Sequence, residues 1–217
     1  MDGEIGASAT PVCRTRRPPN SFLRMDPIAE FRALFAQAQA VDRLQLPDPT
    51  AMSLATVSPD CAPSVRIVLL KGVDERGFVF YTNLNSRKGR ELTATPRAAL
   101  CFYWAALDTQ IRVEGAVEPV SDAEADAYFA SRARESQIGA WASHQSEELS
   151  SMEELRARVA EVEARFANQP VPRPPHWSGR RVRPSSIEFW HAGEFRLHER
   201  RRYERDGNSW TMRRLFP

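Results

Sequence analysis

Cysteine and histidine are scarce: Cys13, Cys61 and Cys101 are the three cysteines, and His144, His176, His191 and His198 the four histidines, in 217 residues. The cysteines are too few and too scattered for a disulfide framework or a zinc knuckle. The histidines have neither H-x-x-x-H spacing nor a cysteine nearby, so no metal site is expected. There is no G-x-G-x-x-G and no Walker lysine loop, which removes both common glycine-rich ways of cradling a phosphate. No stretch reaches the eighteen or so uncharged apolar residues of a membrane helix. The opening MDGEIGASAT carries acids where a signal peptide carries a basic n-region, so the cytoplasm is the expected compartment. Lysine is nearly missing too: of thirty basic residues only Lys71 and Lys88 are lysine. Both fall in one short stretch beside other polar groups, and a compact ammonium reaches an anion where a planar guanidinium does not fit.

What is present is ordinary for a globular chain: 42% apolar and 27% charged residues, with a net charge of +2. That balance argues against a nucleic-acid coat. Residues 170–217 are arginine-rich, but these arginines alternate with Phe189, Trp190, Leu197 and Tyr203. Such strands present a solvated face or a small-anion site rather than a nucleic-acid surface.

Residues 1–25 read as a flexible N-terminal arm, and Met25 is a possible alternative start. Residues 26–217 read as a single domain. Asp26-Pro27 looks like a helix cap followed by proline at the first helical position. From residue 51 short β-branched and aromatic runs predict strands: MSLATV, PSVRIVLLKG, GFVFYT, RAALCFYWA and TQIRVEGAVEPV. Ser86 caps a short helix, and Ser121 with Glu124 and Ser151 with Glu154 form two capping boxes ahead of further helices. After the proline-rich QPVPRPP the chain returns to strands: RRVRP, SIEFWH, FRLHERRRYER and NSWTMRRLF, with Asp206-Gly207 as a hairpin turn. The absence of regular βαβ crossovers argues for a mainly β, α+β fold, an antiparallel barrel with peripheral helices.

Two spacings suggest sites. Tyr128, Arg132 and Ser136 recur every four residues, so on one helix they share a side and make a poor core face. Arg196 and His198 are two apart, so on a strand they share a face.

RIVLLK (66–71), FYTNLNSRKGREL (80–92), SRARESQIGAWAS (131–143) and EFWHAGEFRLHER (188–200) resemble, in order and spacing, the pyridoxine/pyridoxamine 5′-phosphate oxidases. The likeness runs from about residue 27 to the end. It implies an FMN-binding split β-barrel that oxidises pyridoxamine or pyridoxine 5′-phosphate to pyridoxal 5′-phosphate. Dioxygen would be the electron acceptor, with hydrogen peroxide, and ammonia from the amine, as products. It further implies a homodimer with FMN at the subunit interface.

By that resemblance Arg66, Arg87 and Lys88 hold the FMN phosphate, with Gln145 and Ser146 reaching in from the partner subunit. The run Arg66, Ile67, Val68, Leu69, Leu70 and Lys71 lines the flavin together with Tyr81 and Thr82. Gln110 supplies an amide to the ring system, and Trp190 and Arg200 close over it. Lys71, Tyr128, Arg132 and Ser136 grip the substrate phosphate, while Arg196, Leu197 and His198 meet its pyridine ring, Arg196 and His198 as the catalytic pair.

The chain departs from the family pattern at four places. Ser178 and Arg180 stand where a glycine and an aromatic are common, Ala133 replaces a proline, and Glu199 replaces an aspartate. Two other readings are compatible with parts of the chain. SHQSEEL (143–149) and YERDGNSW (203–210) also resemble a flavin oxidase of phenazine biosynthesis, and a non-catalytic flavin- or haem-binding split barrel shares the fold.

Overall fold

The cap signal at Asp26 acts as expected. In the computed structural model, which describes residues 26–217, the Asp26 carboxylate accepts the Ile28 amide at 2.9 Å and Pro27 opens α1 (Pro27–Ala40). The arm expected over residues 1–25 lies outside the described residues. Phe31 of α1 is fully buried, meeting Phe78 edge-on at 4.8 Å and Phe102 at 5.0 Å. Those aromatic contacts fasten the helix to the inner face of the sheet, each such ring contributing about 1.5–3 kcal/mol by burial.

The chain then lays down β1 (Ala51–Val57), β2 (Pro63–Leu69), β3 (Gly72–Asp74) and β4 (Gly77–Asn83). The short helix α2 (Arg87–Ala94) precedes β5 (Arg97–Trp104) and β6 (Thr109–Pro119). Three helices follow, α3 (Asp122–Ala130), α4 (Arg134–Ala142) and α5 (Met152–Arg165), and then β7 (Trp177–His191), β8 (Glu199–Asp206) and β9 (Ser209–Arg214). All pairings are antiparallel, in the order β2-β1-β5-β6-β7-β4-β3, with β8 on β7 and β9 on β8. The mainly β sheet with helices at its periphery is the architecture expected. Alternation explains the core: Met52 and Leu54, then Leu100, Phe102 and Trp104, then Ile111 and Val113 all turn inward.

β7 organises the sheet. One edge runs along β6, and the other is shared, by β4 over Val182 to Trp177 and by β8 over Ser186 to His191. Pro184 falls in the gap between those two partners, where no ladder amide is needed. Opposite it the β6 register shifts between Glu114 and Gly115, and a Cβ on Gly115 would lie 1.9 Å from the Arg183 carbonyl. The sequence reading divided this segment into two strands at the proline; the structure has one.

Two further expectations are corrected. Tyr128, Arg132 and Ser136 do not share a helix, because α3 ends at Ala130 and α4 begins at Arg134. The Ser131 hydroxyl donates to the Tyr128 carbonyl at 2.8 Å, and Ala133 takes φ −55°, ψ 141°. That is the conformation proline favours, so the Ala133 backbone makes the break that a proline would make. Nor is Phe195–His198 a strand: Phe195 and Arg196 have φ 55° and 65°, and the Leu197 amide closes a turn on the Glu194 carbonyl at 2.9 Å. Gly193 permits that turn, since a Cβ there would sit 2.1 Å from the Leu197 oxygen. The same-face argument for Arg196 and His198 therefore does not hold.

Candidate active site

A cavity of about 480 Å³ opens between β2, β4, α3 and α4. Ile67, Val68, Leu69 and Lys71 form one wall and Tyr81 and Thr82 another. Lys88 and Gln145 line it as well, and the helical break brings Tyr128, Arg132 and Ser136 to it despite their lying on different elements. Asn83, Gly139, Ala140, Ser143 and Trp177 complete the lining and were not singled out from the sequence.

One region of this lining is built around α2. Ser86 caps the helix, its hydroxyl accepting the Gly89 amide at 3.3 Å. Only glycine fits at 89, because a Cβ would lie 2.2 Å from the Leu84 carbonyl oxygen. The close approach sets Lys88 over the cavity, where its Nζ donates to Gln145 Oε1 at 2.8 Å. Burial, with the nearby Arg66 charge adding to it, lowers the Lys88 ammonium to about 8. A depressed lysine beside an arginine is what a site awaiting an anion looks like electrostatically.

Arg66 does not line the cavity itself. Its guanidinium donates to Ser64 Oγ at 2.6 Å, to Thr56, and to Glu91 Oε2 at 3.4 Å. Glu91 is buried, and its other oxygen takes Arg87 Nε at 2.9 Å. Burial pushes the Glu91 carboxyl up, but hydrogen bonds from Thr56, Ser64 and Arg87 and the Arg66 charge outweigh it and hold it at about 2. Sequence reasoning missed Glu91, although its i, i+4 spacing from Arg87 was a usable signal.

The other cationic point is Arg132. Tyr81, Tyr128 and Trp177 stack nearly parallel, with Tyr81 to Tyr128 at 4.0 Å and Tyr81 to Trp177 at 5.1 Å. The Arg132 guanidinium lies 4.9 Å from the Trp177 ring centre, and its Nη1 is buried without a hydrogen-bond partner. Burial lowers the arginine's affinity for its proton. A fixed, desolvated guanidinium with a free donor in a cavity wall suits a phosphate or carboxylate oxygen.

The remaining expected residues lie elsewhere. Leu70 turns into the core, and Ser146, exposed with φ 73°, is outside the cavity lining. Gln145 meets Lys88 of its own chain, so it needs no partner subunit to reach that lysine. Gln110, Trp190 and Arg200 are directly opposite one another on β6, β7 and β8 and so form a row on one face. His198 stands 4.6 Å from the Trp190 ring, and its Nδ1 accepts the Gly193 amide at 3.2 Å. From Trp177, in the cavity wall, to Trp190, in this row, β7 runs for roughly 40 Å at about 3.3 Å per residue. The expected set is thus two clusters on one chain.

Comparison with known proteins gives these clusters a context. Residues 38–166 match the family model for pyridoxamine 5′-phosphate oxidase, and residues 177–217 that for the pyridoxine 5′-phosphate oxidase C-terminal dimerisation region. A pyridoxine/pyridoxamine 5′-phosphate oxidase of Myxococcus xanthus is 62% identical over 192 residues, 88% of this chain and 92% of that one. The crystal structure of PhzG from Burkholderia lata, in complex with tetrahydrophenazine-1-carboxylic acid, superposes with a TM-score of 0.83 at 37% identity, covering 94% of this chain and 98% of that one. A pyridoxamine 5′-phosphate oxidase-related, FMN-binding protein of Nostoc punctiforme shares the fold at 18% identity and a TM-score of 0.70, over 86% of this chain and 97% of that one. With a family model spanning more than half its length and a relative this similar over most of it, the chain belongs to the pyridoxamine 5′-phosphate oxidase family.

Proposed function

We propose that this protein is an FMN-dependent oxidase converting pyridoxamine or pyridoxine 5′-phosphate to pyridoxal 5′-phosphate in the cytoplasm. The observation that carries the reading is one cavity lined by three cations, Lys71, Lys88 with Arg66 behind it, and the unpartnered Arg132. Cofactor and substrate each bring a phosphate, and each needs its own cation. Lys88, backed by Arg66 and Arg87 on the Glu91 carboxylate, would hold the FMN phosphate. The exposed face of β2, with Ile67 and Leu69, and Tyr81 offer apolar and aromatic surface to the ring system. Arg132, Lys71, Tyr128 and Ser136 would take the substrate phosphate. Bound FMN would supply two-electron oxidation at the substrate C4′ carbon, with dioxygen as acceptor and hydrogen peroxide, plus ammonia from the amine, as products.

The chain's own contribution is orientation and charge. Trp177 and the stacked tyrosines fix the guanidinium of Arg132, so phosphate binding needs little reorganisation. The Gly193 amide donates to His198 Nδ1, which leaves the ring proton on Nε2. His198 then offers a hydrogen-bond donor to a substrate oxygen, and Arg196, in the preceding turn, would bring a positive charge.

These ring-facing residues belong to the second cluster. The reading therefore includes a homodimer in which Gln110, Trp190, Arg196, Leu197, His198 and Arg200 of one subunit complete the cavity of the other. Support comes from the match of residues 177–217 to a dimerisation region. Exposed apolar side chains lie at both clusters, Ile67 at 63% and Leu197 at 72% exposure. Residues 26–217 act as one unit in this reading, since β7 joins both halves.

The neighbouring structure that binds tetrahydrophenazine-1-carboxylic acid favours a second reading, oxidation of a phenazine precursor. That ligand carries a carboxylate and no phosphate, so it would engage Arg132 but not the fuller set of Lys71, Tyr128 and Ser136 that a phosphate dianion can occupy. Incubating the purified protein with pyridoxamine 5′-phosphate in air decides the matter. Pyridoxal 5′-phosphate and peroxide should appear together. Turnover of tetrahydrophenazine-1-carboxylic acid but not of the phosphorylated amine would replace the first reading with the second, and flavin or haem binding without turnover of either would replace both.

A further inference from the structure

Glu188 is a buried carboxylate for which the proposed chemistry has no use. It lies on β7 two residues before Trp190 and therefore on the same face, with Arg112 opposite it on β6 and Arg202 on β8. Only 4% of it is exposed. One oxygen receives Arg200 Nε and Nη2, both at 2.8 Å, and the other lies 3.6 Å from Arg112 Nη1. A carboxylate removed from water is destabilising unless paired and hydrogen-bonded, so this one is tied to its arginines. Arg200 is held on its remaining side as well: Nη1 donates to the Phe216 carbonyl at 2.9 Å, and the Arg200 carbonyl accepts the Leu215 amide at 3.1 Å.

The guanidinium at the end of the Gln110–Trp190–Arg200 row is thus locked in plane by its own chain, with its charge offset. We propose that Glu188 is a positioning residue for the flavin site: it holds the Arg200 guanidinium in the plane that closes over the ring and screens its positive charge. This rests on the FMN reading above. Arg200 alone, on a flexible stem, would lose rotamer freedom on each binding event; Glu188 has it ordered beforehand.

The test is a double-mutant cycle on FMN affinity with the full chain, read by quenching of FMN fluorescence as apoprotein is added. Glu188→Gln keeps the shape and one hydrogen bond but loses the charge. It should raise the FMN dissociation constant about tenfold, equivalent to one charge-assisted hydrogen bond. It should also move the reduction potential of the bound flavin upward, because the unscreened arginine favours the electron-richer reduced ring. In an Arg200→Ala background the same change should leave the dissociation constant where Arg200→Ala alone puts it. Glu188→Asp, which keeps the charge on a shorter stem, should hold the potential while weakening FMN binding. It carries the test should Glu188→Gln not fold. Unchanged FMN affinity, or an effect that simply adds to Arg200→Ala, overturns the proposal. Wild-type protein that binds no FMN would instead remove the functional reading beneath it.

Discussion

Lys88 allows the sharpest quantitative test, because its charge state changes within an accessible pH range. In the free protein its ammonium titrates at about 8, lowered by burial and by Arg66. A phosphate dianion arriving beside it favours the charged form and raises that value again, so binding takes up a proton above pH 8. The FMN phosphate, with its second pKa near 6, stays dianionic throughout. Raising the pH from 7 to 9.5 reduces the protonated fraction of Lys88 about thirtyfold, and FMN affinity should fall by a similar factor. That is within the roughly ten- to hundredfold span of one charge-assisted hydrogen bond. The linkage to folding has the opposite sign. Because the folded protein binds this proton more weakly than the unfolded chain, the contribution of Lys88 to stability without cofactor increases from pH 8 towards 10.5. Fluorescence titration of apoprotein with FMN at pH 7, 8, 9 and 9.5 measures the first effect, and Lys88→Ala is the control. The variant should bind FMN ten- to a hundredfold more weakly at pH 7 and lack the steep fall. A flat wild-type profile, or an equally steep one in Lys88→Ala, would show that Lys88 does not meet the phosphate.

Arg132→Ala should leave the protein yellow and raise the Michaelis constant for pyridoxamine 5′-phosphate about ten- to a hundredfold, as flavin content and steady-state kinetics on the same sample will show. Glu91 is held at about 2, so the stability it provides is present above its ordinary value of 4.5 and is lost as the pH falls from there towards 2. Glu91→Gln should remove that segment of the acid-unfolding curve and loosen FMN binding by releasing Arg66 and Arg87. Gly89→Ala places a Cβ 2.2 Å from the Leu84 carbonyl oxygen and should destabilise the protein by about 2 kcal/mol or more, measured from the denaturation midpoint.

Local chemistry was readable wherever a short segment determines its own conformation. Asp26, Ser86 and Ser121 cap their helices as their positions suggest, and Ser121 with Glu124 forms the full reciprocal box. At Ser151 only half the box forms, because Glu154 turns back to the Ser150 amide and hydroxyl instead. The strand alternation was equally plain. What escaped depended on contacts distant in sequence. Nothing near Glu91 announces Thr56 and Ser64, and the end of α3 at Ala130 is set by a serine hydroxyl and by the backbone of Ala133, which carries no helix-breaking signature. The turn at Phe195–Arg196 has two non-glycine residues at positive φ, against the preference of both. Strand propensity gave the wrong answer there because a sterically required Gly193 and the closure onto Glu194 override it.

Two kinds of separation along the chain divide the residues of the proposed site. Gln145 lies 57 positions from Lys88, yet within one chain the segment after α4 brings it onto that lysine. Trp190, by contrast, lies on the same strand as Trp177 and is carried away from the cavity by that very strand. Separation along a loop or helix is cheaply recovered by folding back, because loop closure grows only logarithmically in cost with length. Separation along one extended strand is not recoverable, since the backbone is already near its full reach. In the proposed dimer a residue on the distal half of β7 therefore completes the proximal site of the other copy. The length of β7 supports the proposed dimer, in which the 190–200 segment of one copy reaches the cavity of the other.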